Sequence, residues 1–168
     1  NFDCKNSIYI KSLNIVESKY CEGDKLKIKS HYYLIEILEI ALSKNINIDL
    51  AIKAENSMYS SLNYFSTELN LKIIKIYLKT RLKQPNMHII DIVINNLANN
   101  VSKLDFVDIK DILVLIDQSQ CDNKMFLFTS AKYILDLNST LGSGDTKDKY
   151  LNSLCELFYL LSKLNVHL

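Results

Sequence analysis

The chain has 168 residues, with 20 Lys and Arg against 19 Asp and Glu, only three Gly and one Pro. A formal charge of +1 excludes a global electrostatic commitment to nucleic acid or to an anionic membrane, so any basic surface has to be local. So few turn residues exclude a β-sandwich. The Leu, Ile, Lys, Asn and Glu content selects an all-α fold, read as a single domain over residues 1–168, long enough to bury about 70% of its unfolded surface without staples.

Tyr9, Leu13, Val16 and Tyr20 stand at i, i+4, i+7 and i+11, which predicts an amphipathic helix over Ser7 to Tyr20 that ends near Gly23. Lys25, Lys27 and Lys29 alternate with Leu26 and Ile28 as in a short strand. The apolar run behind them favours a helix from about Ser30, with Leu34, Ile37 and Ala41 inward. Asn45 to Asn47 reads as a turn and Asp49 as the cap of a second helix reaching Phe65, with Ile52, Met58, Leu62 and Phe65 buried. Ser66 or Thr67 starts the next helix, whose stripe is Leu71, Ile74, Leu78 and Leu82. Pro85 cannot continue it, and Asn86 caps a helix carrying Ile90, Val93, Leu97 and Val101.

The stretch from Leu104 to Leu137 reads as a complete αα-hairpin. Asp105 is its N-cap, Asp108 lies in the first turn, and Ile109, Ile112 and Ile116 form the inward face. The polar run Asp117 to Lys124 closes that helix. Asp122 or Asn123 caps the next, with Phe128, Ala131 and Leu135 inward. Asn138 to Lys149 reads as a glycine-containing loop, followed by a helix with Leu151, Leu154, Phe158 and Leu161. The chain opens on Asn1 without a methionine and closes on Leu168 straight after an apolar pattern, the expectation for a processed or partial chain.

Superposing the first helix of each hairpin aligns Leu34, Leu71, Ile109 and Leu151, at offsets of 71−34 = 37, 109−71 = 38 and 151−109 = 42. A period of about 37 residues predicts αα-hairpins stacked as a short α-solenoid, with an irregular helical bundle as the alternative.

Chemistry is sparse. Cys4, Cys21, Cys121 and Cys155 form no C-x-x-C pair and read as reduced, mostly buried thiols. His31, His88 and His167 lack an orienting partner, and Asp105, Asp108 and Asp111 suit capping and solvation better than a metal. Gly142-Ser143-Gly144-Asp145 lacks the Gly-Lys-Ser/Thr ending of a phosphate loop. The expectation is therefore a non-enzymatic protein without cofactor, metal or small-molecule substrate. Its apolar runs fall short of the roughly 20 residues of a membrane span. One basic feature stands out: Lys72, Lys75, Lys79 and Lys83 at i, i+3, i+7 and i+11, with Arg81 beside them, form a ridge suited to a phosphate backbone. Tyr32, Tyr33, Tyr59, Tyr64 and Tyr77 would suit base stacking, but their helical spacing assigns them to core or groove.

The helix alternation from Ser30 onward, with the phrases LVLIDQSQCDNKMFLFTSAKYIL and LCELFYLLSKLNVHL, resembles the degenerate organellar helical repeats of octotricopeptide and heptatricopeptide type. Such repeats are found in FAST-kinase-like and RAP-domain proteins. The resemblance implies a mitochondrial location, or otherwise a soluble intracellular one. It also implies an RNA-binding α-solenoid within an organellar ribonucleoprotein such as a divergent mitochondrial ribosome, with rRNA and neighbouring protein subunits as partners. A protein-binding adaptor and a compact helical-bundle interaction domain with a groove for a partner helix are the alternatives.

Overall fold

A computed structural model describes residues 2–43, 47–80, 86–140 and 145–164. Their backbone is mostly α-helical, in keeping with the all-α expectation, and it gathers into two compact units, residues 1–82 and 83–168.

The first unit begins with α1 (Phe2–Tyr20). Among its described side chains only Leu13 is fully buried, while Ile8, Ile10 and Ile15 face solvent. Gly23, at φ +59°, turns the chain into a two-rung antiparallel hairpin of β1 (Cys21–Glu22) and β2 (Lys25–Leu26), so the lysine alternation does contain a strand. Next comes α2 (His31–Ser43), with Leu34, Ile35, Leu38 and Ala41 sealed from water. The cap of α3 (Ile48–Met58) is Asn47, whose side chain accepts from the Leu50 N–H at 2.9 Å. Asp49, expected as the cap, lies two residues too far along and instead places its carboxylate in the first turn, at the positive end of the dipole. The β2 strand is tied to α3 through the Leu26 N–H, which donates to Ser57 Oγ at 2.7 Å.

The helix expected to reach Phe65 tightens at Tyr59 into a 3-10 helix, Tyr59–Tyr64. Ile52 is 46% exposed, because the buried face runs through Ala51, Ala54, Glu55 and Met58, about 100° away around the axis. In α4 (Thr67–Thr80) the buried residues are Leu69, Asn70, Ile73, Ile74, Ile76 and Tyr77. Of the expected stripe, Ile74 is buried, Leu71 and Leu78 are half-buried, and Leu82 lies outside the described residues. The face is rotated because α4 packs on α2 and places Tyr77 against α3, where its hydroxyl donates to Glu55 Oε1 at 2.5 Å. Burial, reinforced by the Glu55 carboxylate, pushes the Tyr77 phenol well above its ordinary value of 10.0.

The second unit starts at α5 (Met87–Ala98), where Asn86 Oδ1 accepts from the Ile89 N–H and Ile90, Val93 and Leu97 are buried as expected. Pro85 lies outside the described residues. Val101 leaves the helical stripe for a short 3-10 turn, Val101–Lys103. For α6 (Phe106–Ser119) the expectation holds in detail: Asp105 caps it, accepting from the Asp108 N–H at 2.7 Å, and Ile109, Ile112 and Ile116 are buried. Gln120, left-handed at φ 55°, closes the helix, its N–H donating to the Ile116 carbonyl. Asn123 caps α7 (Lys124–Thr140), accepting from the Phe126 N–H at 2.9 Å.

The inward face of α7 is Phe126, Leu127, Ser130, Ala131 and Ile134, so Ala131 lies as expected while Phe128, 70% exposed, and Leu135 point outward. With Phe126, Leu127 and Phe128 consecutive, apolar periodicity offers two stripes, and packing on α5 selects the one led by Phe126. Both flanks of the expected loop are helical, since α7 reaches Thr140 and α8 (Asp145–Lys163) starts at Asp145; residues 141–144 lie outside the described residues. In α8, Leu154, Leu157 and Leu161 are buried, Phe158 is half-buried and Leu151 is exposed.

Helices two apart pack together in this unit, α5 with α7 and α6 with α8. Three rungs join α6 to α8. The Phe106 and Tyr150 rings meet edge to face at 5.4 Å, Lys110 pairs with Glu156, and Asp117 pairs with Lys163. Both members of each successive rung lie further along their helices, so α6 and α8 run parallel.

Candidate functional site

The predicted lysine ridge lies on α4 in the first unit. Lys75 and Lys79 are exposed, Lys72 is half-buried, and Arg81 and Lys83 lie outside the described residues. Lys79 Nζ stands 3.6 Å from the Glu39 carboxylate of α2. That partner removes much of the long-range field Lys79 would offer a phosphate, although such an exposed pair exchanges readily. Glu39 was invisible to the ridge argument because it is 40 residues away in sequence (79−39 = 40).

The tyrosines fit their assignment to core or groove only in part, Tyr77 in the core and Tyr33 at a cleft. Tyr32, Tyr33, Tyr59 and Tyr64 are exposed, Tyr64 by 86%, and only Tyr77 of the five is buried. Tyr32 and Tyr33 open α2, and Tyr59 and Tyr64 bound the 3-10 helix. The two segments meet where His31 lies against Phe65, ring centroids 4.6 Å apart. His31 is thus a packing residue of this corner, His88 is exposed, and His167 lies outside the described residues.

A cleft of about 470 Å³ opens beside this corner. Its apolar lining comes from Val16 of α1, Ile28 of the segment after β2, and Ile37 and Ile40 of α2. Lys27 and Lys29 stand on one lip, Tyr33 and Glu36 on the α2 side. Its size falls within the range of ligand-binding clefts. No family model, no curated protein and no solved structure matches this chain. The reading of the site therefore rests on its own geometry.

Among the described residues no three His, Cys, Asp or Glu side chains converge as a metal site. Asp105 is occupied as a cap, while Cys21 and Cys121 are half-buried and Cys155 is exposed, all three free, so these thiols are more accessible than their spacing implied. Burial, then the Asp91 and Asp122 carboxylates, raise the Cys121 thiol above its ordinary value, which keeps it protonated and weakly nucleophilic. No helix among the described residues is long and apolar enough to cross a membrane. Sequence reasoning missed the cleft because its walls come from three separate segments and no motif marks it.

Proposed function

We propose that this chain is a non-catalytic helical-repeat subunit of an organellar ribonucleoprotein, such as a mitochondrial ribosome, contacting rRNA and neighbouring protein subunits. The observation that carries the reading is the exposure of four tyrosines on the unit that also presents Lys75 and Lys79. Tyrosine faces stack on unpaired bases and lysines neutralise phosphates, which together give sequence-tolerant single-strand affinity. Parallel stacking of α6 on α8 supports the repeat arrangement, because hairpin repeats bring equivalent helices side by side in the same direction.

The test is association of the purified chain with single-stranded RNA over a salt series, with Lys72, Lys75 and Lys79 all changed to Gln in the comparison protein. Three phosphate contacts predict a loss of about 20-fold in affinity between about 50 and 200 mM salt, with a shallower slope in the variant. Absence of binding at low salt refutes the RNA contact. A second reading, a protein-docking adaptor, is favoured by the apolar cleft beside α2.

A further inference from the structure

The cleft has a wall unlike the others. Residues 27–30 belong to no helix or strand, yet all four line it consecutively. The Lys27 N–H donates to the Tyr20 carbonyl at 2.7 Å, and the Ser30 carbonyl accepts from the Leu34 N–H at 3.1 Å. Between these fixed points the N–H groups of Ile28, Lys29 and Ser30 find no acceptor among the described residues. In an extended segment consecutive N–H groups point to alternate sides, so an added peptide strand pairs main chain to main chain with one set of them, Ile28 with Ser30 or Lys29 alone, while its inward side chains fill the apolar floor.

Charge narrows the occupant. Lys29 has no ion-pair partner among the described residues, and Lys27 holds only Glu22, at 2.9 Å, in a pair more than 60% exposed on both sides. Such a pair contributes little and yields to a competing carboxylate. Glu36 sits on the opposite side of the cleft, so the wall that offers the donors is also the cationic one. We propose that this cleft docks an extended peptide segment of a partner protein, an apolar side chain over Val16, Ile37 and Ile40 flanked by a carboxylate that pairs with Lys29. This inference goes beyond the RNA reading: the two share Tyr33, but the lysines on α4 do not line the cleft, so RNA and peptide binding are told apart by which amides move.

The experiment uses the full chain, labelled with 15N, titrated with the peptide GSDVLVDSG and, in parallel, with its lysine counterpart GSKVLVKSG. The expected result is saturable movement of the Ile28, Lys29 and Ser30 amide signals with the acidic peptide, and binding about tenfold or more weaker with the basic one. Lys29→Glu, a change on an exposed side chain, should invert that preference while the remaining spectrum is retained. Truncation of the floor by Ile40→Ala should weaken binding of the acidic peptide without altering its charge preference. The proposal is overturned if the acidic peptide leaves the three amides unmoved at about 1 mM, or if both peptides bind alike. It is equally overturned if decauridylate moves those amides and the peptide does not, an outcome that would assign the cleft to nucleic acid.

Discussion

Both units carry exposed ion pairs between helices, Lys79 with Glu39 in the first and Lys110 with Glu156 in the second, but their buried polar ties differ. In the first, the tie between α3 and α4 is a charged hydrogen bond inside the core, Tyr77 to Glu55, where little water competes. In the second, the buried Asn123 side chain reaches partners nearer the surface. Asn123 Nδ2 donates to Asp91 Oδ1 at 2.8 Å and to Asn95 Oδ1 at 3.0 Å, and two exposed ion pairs join α6 to α8. The first arrangement is strong and unforgiving. The second is adaptable.

Five expected outcomes probe the two units, beginning with the largest. Tyr77→Phe removes one hydrogen bond from a buried carboxylate and should destabilise the protein by about 2 kcal/mol in denaturant titration. The same position sets an alkaline limit: the folded phenol titrates above the unfolded value, so the unfolded chain releases its proton first. This contribution is complete below about pH 10 and declines above it by up to about 1.4 kcal/mol per pH unit, a slope that Tyr77→Phe should abolish. Asn123→Ala removes a cap and two side-chain hydrogen bonds, and should cost about 2 kcal/mol; a neutral result would show that the α5 to α7 tie is expendable.

Exchanging the charges of one rung comes next. Lys110→Glu and Glu156→Lys should each lower the melting temperature slightly, and the double variant should recover most of the loss. The coupling should stay below about 1 kcal/mol and vanish at about 1 M salt. Persistence of the coupling in high salt would show that the rung is not a screened surface pair. Smallest is a difference in thiol labelling at neutral pH: exposed Cys155 should react with iodoacetamide ahead of half-buried Cys121, whose proton is held by burial and by Asp91 and Asp122.

Local chemistry was legible in the sequence wherever one residue type has one job. Asn86, Asp105 and Asn123 cap the helices they were expected to cap, and the branched stripe Ile109, Ile112, Ile116 faces inward. Legibility failed where two stripes compete. Leu71 and Leu78 lost to Leu69, Ile73 and Ile76, and Phe128 and Leu135 to Phe126 and Ile134, because the winning face is decided by which helix lies opposite. Polar residues in the core hid the true face further. Glu55, Asn70 and Ser130 are buried, and no periodicity rule places them there. Of the candidate sites, the lysine spacing on α4 could be read from sequence, but its partner Glu39 and the cleft assembled from α1, the 27–30 segment and α2 exist only in three dimensions.

The three ascending rungs between α6 and α8 carry one more consequence. Two neighbouring helices that run the same way need a return stroke between them, and α7, 17 residues and about 25 Å long, supplies most of it. Adding or deleting one turn of α7 would displace the start of α8 by about 5.4 Å. Lys110 and Asp117 would then face side chains a turn away from Glu156 and Lys163. The intervening helix is therefore a ruler, and its length sets the alignment of the pair it separates in sequence.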